Sequence, residues 1–302
     1  MQSNSANSEF WLDKVATLIE SLPYMKQYSG LSVVIKFGGH AMGEQAFIEA
    51  FSSDIVLLRQ VGAKPVVVHG GGPQIGSMLE RLKMESNFID GLRVTDQQTI
   101  SIVEMVLAGA INKSLVASIA SSGGMAVGIS GKDGNLIKAK KLAHKTRDSD
   151  SAIENLVDLG YVGIPQKVDT KVLDALIGSG MIPVVAPLGL GVDGKTYNIN
   201  ADTAAGSIAS ALGASRLIML TDVEGVLDAS GKLIPRLSIG QARQLISSGV
   251  INGGMIPKVE TCIEAVNSGA GAAVIVDGRK QHAVLVELFT EHGIGTLIHA
   301  DK

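Results

Sequence analysis

Short apolar runs alternate along the chain with longer segments of helical periodicity. Residues 31–37 are apolar except for Ser32 and Lys36, rich in Val and Ile, and too short for a helix, so they predict a buried strand. The same pattern predicts strands over 64–69, 125–130, 136–139, 182–187, 216–220 and 272–276, and helices over 44–61, 96–120, 170–179, 201–212, 238–248, 255–267 and 280–290. This alternation predicts an α/β fold with a central, mainly parallel open sheet covered on both faces by helices.

An amphipathic helix is predicted ahead of the first strand. Residues 1–7 are polar and are predicted to be unstructured, whereas an apolar stripe then recurs at helical spacing until Pro23 interrupts it. The stripe consists of Phe10, Trp11, Val15, Leu18, Ile19 and Leu22. Two explanations stay open, because such a stripe either covers the chain's own core or packs against another subunit.

Two of the predicted strands end in glycine-rich loops. Lys36 is followed by Gly38 and Gly39, and His69 is followed by the Gly-Gly-Gly-Pro run at 70–73. Glycines let backbone N–H groups approach phosphate oxygens closely, and a lysine neutralises their charge. A single loop of this kind also fits a solvated lysine at an ordinary turn. Two such loops at the carboxyl edge of a parallel sheet can face one anion together, so the pair predicts a phosphate site.

Two further motifs allow a chemical and a plainer interpretation. His69 could act as a general base, but a histidine packed at a strand end is the more frequent case. Gly189, Gly194, Lys195 and Thr196 have the spacing of a P-loop, which requires a helix to begin at its lysine. The residues that follow alternate like a strand, and Asp-Gly before the lysine is a hairpin motif, so we interpret the P-loop match as accidental.

A small hairpin is predicted over 88–94, where apolar and polar residues alternate around Asp90-Gly91. Arg93 projects from this hairpin. Asp202 lies in the first turn of the predicted helix over 201–212, where the helix dipole favours a carboxylate. Residues 141–155 are mixed and charged, which indicates a surface excursion.

Composition narrows the possible functions. The chain has 302 residues, 46% hydrophobic and 18% charged, with a net charge of -3 and a pI near 6.1, so it is a folded protein without the basic face of a nucleic-acid binder. Cys262 is the only cysteine, which excludes an internal disulfide and a cysteine metal cluster and favours the cytoplasm. We expect no secretory signal in the first thirty residues, and no apolar run of membrane-spanning length.

Five motifs in the same order resemble the amino acid kinase family, in its branch that phosphorylates N-acetyl-L-glutamate. They are Lys36-Phe37-Gly38-Gly39, His69-Gly70-Gly71-Gly72-Pro73, Gly91-Leu92-Arg93-Val94-Thr95, Asn198-Ile199-Asn200-Ala201-Asp202 and Gly253-Gly254-Met255-Ile256-Pro257-Lys258. The resemblance covers almost all of residues 8–300. It implies a three-layer αβα sandwich with an N-terminal extension (1–30), an amino lobe that binds acetylglutamate (31–190) and a carboxyl lobe that binds ATP (191–302).

The resemblance also implies the reaction. ATP with Mg²⁺ would phosphorylate the γ-carboxylate of N-acetyl-L-glutamate, the second step of arginine biosynthesis. A carboxylate is already ionised at neutral pH, so this reaction needs charge neutralisation and no general base. Site roles carried over from the family place Lys36 and Lys258 beside the transferring phosphoryl group, with Asp202 holding both lysines. N–H groups of Gly38, Gly39, Gly71 and Gly72 would help to hold that group.

Substrate roles follow from the same resemblance. Arg93 and Asn198, with the N–H groups of Gly71 and Gly72, would bind acetylglutamate, the first two through its α-carboxylate. Thr221 and Asp222 would meet the nucleotide together with Lys36 and Lys258. No protein ligands for a metal ion are predicted. Alternatives are an acetyl-aminoadipate kinase and a catalytically silent sensor of arginine or of a PII-type signalling protein. The joint presence of Lys36, Asp202 and Lys258 argues against a silent protein.

Regulation by arginine is the last expectation. The N-terminal helix resembles the one that links dimers into a hexamer, a trimer of dimers, in arginine-sensitive members. Glu287 and the backbone near Gly293 resemble part of their arginine site. Val274 departs from the family pattern, since many sensitive members have a histidine there. A PII-type protein is a further expected partner, and neither nucleic acid nor a membrane is expected.

Overall fold

A computed structural model describes residues 3–147 and 154–301. The helices are α1 (Ser3–Tyr28), α2 (Gln45–Gln60), α3 (Gly72–Arg81), α4 (Gln97–Glu104), α5 (Asn112–Ser121), α6 (Lys171–Gly178), α7 (Ala201–Ala211), α8 (Ile239–Ser247), α9 (Met255–Asn267) and α10 (Ala283–Phe289). The strands are β1 (Ser32–Phe37), β2 (Lys64–His69), β3 (Phe88–Ile89), β4 (Leu92–Arg93), β5 (Ala126–Ser130), β6 (Ile137–Lys141), β7 (His144–Arg147), β8 (Glu154–Val157), β9 (Val162–Val168), β10 (Ile182–Ala186), β11 (Leu188–Gly191), β12 (Thr196–Ile199), β13 (Arg216–Thr221), β14 (Arg236–Ser238), β15 (Ala273–Asp277) and β16 (Thr296–His299).

Eight strands form the central sheet, in the order β14-β16-β15-β13-β1-β2-β10-β5. All neighbours are parallel except β15 and β16, so the carboxyl ends of β1, β2 and β13 meet at one edge. In this register Phe37 lies opposite His69, which brings the two glycine loops side by side. The predicted fold class, an αβα sandwich on a mainly parallel open sheet, is confirmed.

Two hydrophobic cores lie on opposite faces of this sheet. Alternate residues of β1 enter different cores, with Val33 and Ile35 in one and Val34 in the other. Helices α2, α3, α4, α5 and α10 contribute to the first core, and α6, α7, α8 and α9 to the second. Strands buried on both faces explain why their sequences are continuous apolar runs without alternation.

A second, smaller sheet closes on itself in the order β11-β12-β9-β6. Its β11–β12 hairpin contains the P-loop-like sequence. The N–H of Lys195 donates to the Asp193 carboxylate at 3.1 Å, and no helix begins there, so the accidental interpretation is confirmed. The β3–β4 hairpin is also present, with Asp90 and Gly91 both at positive φ as a tight two-residue turn requires.

The prediction for the N-terminus was wrong in two details. Helix α1 begins at Ser3, within the stretch expected to be unstructured, and it continues through Pro23 to Tyr28. A proline removes one helical hydrogen bond, but packing compensates here, because Tyr28 is only 4% exposed and Tyr24 and Met25 pack on the same core. Residues 1 and 2, and the side chain of Phe10, lie outside the described part.

Several strands escaped the sequence interpretation. Strands β9, β14 and β16 contain Pro165, Arg236 or Thr296 among their apolar residues, so they lack the continuous apolar run used to identify the others. The predicted excursion over 141–155 includes the paired strands β7 and β8, while residues 148–153 lie outside the described part.

One helical segment is more apolar than expected. Helices α4 and α5 are joined by a π-helical turn (Met105–Ile111), and the whole segment Gln97–Ser121 is long and apolar enough to cross a membrane by length and composition. The prediction that no apolar run reaches this length was therefore wrong, because Ile, Val, Leu, Met and Ala keep the mean hydropathy of the segment high although Gly, Ser and single charged residues interrupt the run. Its buried face, with Leu115 and Ile119, belongs to the first core.

Candidate active site

A cleft of about 300 Å³ lies at the carboxyl edge of the central sheet. It is lined by residues from both glycine loops, the β3–β4 hairpin, strand β12 and the start of α7. The predicted site residues in its lining are Lys36, Gly39, Gly71, Gly72, Arg93, Asn198 and Asp202. Lys36 and Asn198, which are 162 positions apart in sequence, are thus brought together, as expected at the edge where parallel strands end.

Two lysines share the carboxylate of Asp202; Lys36 and Asp202 line the cleft, whereas Lys258 lies outside its lining. Nζ of Lys36 lies 3.0 Å from Oδ1 of Asp202, and Nζ of Lys258 lies 3.2 Å from Oδ2. Lys36 is the next-to-last residue of β1, Asp202 is in the first turn of α7, and Lys258 is in the first turn of α9. Burial alone would raise the pKa of Asp202, but the two ammonium groups outweigh it and hold that pKa below its ordinary value. The cluster is a fixed group with a net charge of about +1.

The first glycine loop approaches this cluster closely. A Cβ atom at Gly38 would lie 3.0 Å from Cε and Nζ of Lys36, so a larger residue would displace the ammonium group. Gly39 has φ +75, a conformation that other residues rarely adopt. The N–H of Gly70 in the second loop donates to the carbonyl of Phe37 at 2.8 Å, which ties the two loops together.

Arg93 is held on three sides. Its Nη2 donates to the Gly72 carbonyl at 2.9 Å, its Nη1 donates to the Ser86 hydroxyl, and its guanidinium lies 4.5 Å from the centre of the Phe88 ring. Burial lowers the pKa of Arg93, but its ordinary value is so high that the side chain stays charged at neutral pH. Ser86 and Phe88 were missed from the sequence, since only the turn of the chain through the hairpin brings them to Arg93.

Asn198 faces the cleft because strand β12 alternates. Its neighbours Tyr197 and Ile199 are buried in the second core, so Asn198 lies on the opposite face of the strand. Two residues later, Asn200 caps α7 by accepting N–H bonds from Asp202 and Thr203 at 2.8 and 3.2 Å. This cap fixes the helix start that carries Asp202, a role that the sequence could have suggested from an Asn just before the helix.

The structure places Thr221 and Asp222 at the end of β13, outside the lining of this cleft. Thr221 is buried, and its hydroxyl donates to the Val223 carbonyl at 3.0 Å within its own turn. Asp222 is exposed beside the end of β15, where Asp277 forms a bidentate pair with Arg279. These residues stand at the same edge of the sheet as Lys36, at the end of the neighbouring strand.

A second cleft, of about 170 Å³, lies between the end of α1 and the carboxyl-terminal part of the chain. Its lining includes Tyr28, Arg216, Glu287 and Gly293. Oε2 of Glu287 accepts N–H bonds from the two residues after Gly293, and burial raises the pKa of this carboxyl. Val274, the noted departure, is fully buried in the core beneath.

Three comparisons relate this chain to known proteins. The profile of the amino acid kinase family matches residues 32–277. Acetylglutamate kinase of Acidiphilium cryptum (strain JF-5) is 62% identical over 280 residues, which cover 93% of this chain and 94% of that protein.

Among solved structures, N-acetylglutamate synthase from Neisseria gonorrhoeae with coenzyme A and N-acetyl-glutamate superposes with a TM-score of 0.82 at 28% identity. The match covers 95% of this chain but 64% of the synthase, so it concerns one part of that protein. The same synthase with coenzyme A and L-arginine gives a TM-score of 0.78 at 26% identity, over 95% of this chain and 65% of that one.

Proposed function

Because this chain belongs to the amino acid kinase family, whose members are phosphotransferases, we propose that it phosphorylates the γ-carboxylate of N-acetyl-L-glutamate with ATP in arginine biosynthesis. The observation that carries the proposal is the Lys36–Asp202–Lys258 cluster beside two glycine loops. The relative at 62% identity bears the name of this activity. The cytoplasm is the proposed compartment, in keeping with a buried, unpaired Cys262.

The transfer balances without a proton. An oxygen of the γ-carboxylate forms a bond to the γ-phosphorus of ATP, the bond from that phosphorus to the β,γ-bridging oxygen breaks, and its electron pair leaves on ADP. The products are ADP and an acyl phosphate. An anion attacks an anion in this step, so the protein's task is to neutralise and position charge.

We assign this task to the lysine cluster and the loops. Lys36 and Lys258 neutralise charge on the moving phosphoryl group, while Asp202 keeps both ammonium groups in fixed positions. Backbone N–H groups of Gly38, Gly39, Gly71 and Gly72 supply further donors. Three of these parts, Lys36 and the two loops, lie at strand ends, so their donors need little reorganisation during the reaction.

The nucleotide and its metal belong to this proposal. Thr221 and Asp222 would lie near ATP, on the side of Lys258. Among residues 3–147 and 154–301, no group of three His, Cys, Asp or Glu side chains could hold a metal ion. Mg²⁺ would therefore be held mainly by the nucleotide phosphates, as is usual for this ion, and would neutralise their charge. The division into an acetylglutamate lobe (31–190) and an ATP lobe (191–302) stays a prediction.

Substrate choice rests on Arg93 and Asn198. The guanidinium can bind the α-carboxylate through two N–H bonds while Gly72 and Ser86 hold it from behind. Asn198, which lines the same cleft, offers an amide. The distance from these groups to Lys36 decides which chain length fits, so acetyl-aminoadipate, one carbon longer, is the alternative substrate.

Arginine inhibition and hexamer formation are also proposed. The apolar stripe of α1 is exposed, with Trp11, Leu18 and Ile19 at 58, 63 and 64%, so the chain's own core does not cover it and a second subunit is the proposed cover. The cleft at the end of this helix offers Glu287 to a guanidinium and Arg216 to a carboxylate. The synthase structure with L-arginine supports such a site. A PII-type partner stays a prediction.

One assay tests the catalytic proposal. ADP release is coupled to NADH oxidation and measured with acetylglutamate, acetyl-aminoadipate, glutamate and aspartate. We expect acetylglutamate to have the highest kcat/KM, by at least about tenfold over glutamate, because each charged or apolar contact made by only one substrate is worth about 1.4 kcal/mol or more. Turnover of acetyl-aminoadipate alone would establish the alternative, and no turnover with ATP would leave the silent sensor.

A further inference from the structure

His69 is fully buried, yet it touches the second glycine loop. Its Nδ1 lies 2.8 Å from the carbonyl oxygen of Gly70, and its Nε2 lies 3.2 Å from Nδ2 of Asn112 on helix α5. Neither side chain is exposed to solvent, and neither lines the cleft. This excludes contact of His69 with the substrate and leaves its two hydrogen bonds to be explained.

The hydrogen-bond partners of His69 determine where the histidine proton lies. Nδ2 of Asn112 lies 2.9 Å from the Val184 carbonyl and 3.2 Å from the Ile129 carbonyl, and because these oxygens only accept, the atom is the amide NH₂. Nδ1 of His69 faces the Gly70 carbonyl, which only accepts, so the proton is on Nδ1 and is donated to Gly70. Nε2 is left as an acceptor towards the Asn112 NH₂, whose two hydrogens are shared among three acceptors. Burial lowers the pKa of His69 to about 4, which keeps this ring neutral at physiological pH.

This hydrogen bond sets the direction of the next amide. The carbonyl of Gly70 and the N–H of Gly71 belong to one planar peptide unit, and the structure contains no cis peptide in its described part. In a trans peptide these two groups point in opposite directions. With its carbonyl directed at the buried His69, the unit must direct the Gly71 N–H away from the core, and Gly71 lines the cleft.

The π-helical turn over Met105–Ile111 supports the same loop. A Cβ at Gly71 would overlap Ile111 and lie 2.7 Å from Cδ2 of Leu107, so the helix packs directly on the Gly71 backbone. The turn ends at Ile111, and Asn112 follows it at once. Turns of this kind are rare inside α-helices and are frequent at functional sites.

We propose that His69, held in one tautomer by Asn112, is a positioning residue that aims the Gly71 N–H at the phosphoryl group during transfer. The proposal rests on the proposed kinase function and adds a residue to it. A misaimed donor would weaken contacts made mainly in the transition state, so its loss would lower kcat more than it raises KM.

Two variants at one position test this. In His69→Asn the side-chain NH₂ occupies the place of Nδ1 and can still donate to Gly70, whereas His69→Leu cannot. We expect His69→Leu to lower kcat on the order of ten- to a hundredfold with KM for acetylglutamate within about threefold, and His69→Asn to retain most of kcat. A structural role predicts the opposite order, because the buried apolar leucine should give the more stable protein. Equal losses, or losses that follow the free energies of unfolding, would overturn the proposal.

Two further measurements keep the test decisive. Asn112→Leu frees Nε2 of His69 and should lower kcat like His69→Leu, whereas Ser52→Ala, which removes the buried bond from Ser52 to Ser118, should leave kcat unchanged. Nitrogen NMR of the full-length wild-type protein should show His69 protonated on Nδ1, and protonation on Nε2 would refute the proposal. A wild-type protein that fails to phosphorylate acetylglutamate but shows the Nδ1 tautomer would refute the function and not the hydrogen-bond assignment.

Discussion

Replacing Asp202 by asparagine removes one negative charge from between two ammonium groups and changes almost no volume. The side chains of Lys36, Lys258 and Asp202 are 9, 23 and 15% exposed, so water screens the three charges poorly. Two lysines that were held apart by a carboxylate would then repel each other. We expect both the activity and the stability of the protein to fall.

The size of the loss follows from the two distances. Charges whose centres are about 4 Å apart attract by about 4 kcal/mol at an effective dielectric constant near 20, and desolvation offsets part of this. Removing one partner of a buried pair typically costs about 3 to 5 kcal/mol of stability. For the reaction, misplaced lysines should lower kcat by about 2 to 4 kcal/mol, or about 30- to 1000-fold.

The pH dependence of stability gives a second measure of the same charge. The lysines lower the pKa of Asp202 in the folded state. The stabilisation that its carboxylate contributes is therefore fully present above about pH 3.9, the pKa in the unfolded chain, and is lost as pH falls through the pKa in the folded state. Urea unfolding of the wild type and of Asp202→Asn should therefore differ most between pH 5 and 7, and the difference should shrink towards pH 3.

The same substitution at a surface pair is the control. Asp158 pairs with Lys141 at 2.7 Å, but both side chains are largely exposed, so Asp158→Asn should change neither kcat nor the unfolding midpoint measurably. If Asp202→Asn retained more than about a third of wild-type kcat, the carboxylate would not be what positions the lysines. A stability difference independent of pH would show that lost packing, and not lost charge, explains the effect.

Five other substitutions test separate parts of the molecule. Lys258→Ala should lower kcat by the equivalent of about 2 to 4 kcal/mol, whereas Arg93→Ala should chiefly raise KM for acetylglutamate by a similar free energy. In steady-state kinetics the reverse pattern would show that the two assignments are swapped. Glu287→Gln should raise the arginine concentration for half inhibition about tenfold or more without changing kcat, as a charged hydrogen bond is lost. Leu18→Glu should yield active, smaller oligomers in sedimentation, and an unchanged size would refute the stripe as an interface. Burial raises the pKa of Asp54 to about 6, so its contribution to stability is present below pH 4 and lost as pH rises through 6. Asp54→Asn should remove up to about 3 kcal/mol of that pH dependence in urea unfolding.

Strands β1, β2, β10, β13 and β15 of the central sheet could be predicted from the sequence because each contains a continuous apolar run, whereas β14 and β16 do not and were missed. Strand β9 could not, since Pro165 interrupts its pattern and its pairing with β6 and β12 joins residues distant in sequence. Helix α1 shows the same dependence on distant contacts. The sequence predicted its end at Pro23, but packing of Tyr28 in the core extends the helix to that residue.

Within the candidate site, residues marked by an unusual local sequence were found and their supports were not. Lys36 and the glycine loops stand out as a charge and flexible backbone at strand ends. Asn112 looks like any polar residue in a helix, and Ser86 like any loop serine, because only the fold brings them to His69 and Arg93. A hydrogen-bond partner that comes from another helix or loop leaves no pattern in the sequence by which it could be recognised.

The backbone makes this cleft attractive to anions independently of its lysines. Helices α3 and α7 both begin at its wall, at Gly72 and Ala201, so the positive ends of their dipoles lie beside the cleft. Lys258 sits in the first turn of α9, where a helix dipole disfavours a cation, and Asp202 offsets that repulsion. The helix ends and both lysines would attract a phosphoryl group in the cleft. Without a bound anion, the positive helix ends and the ammonium groups repel one another. Under the proposed function, this arrangement would lower the repulsion between the two anions that must meet for the transfer.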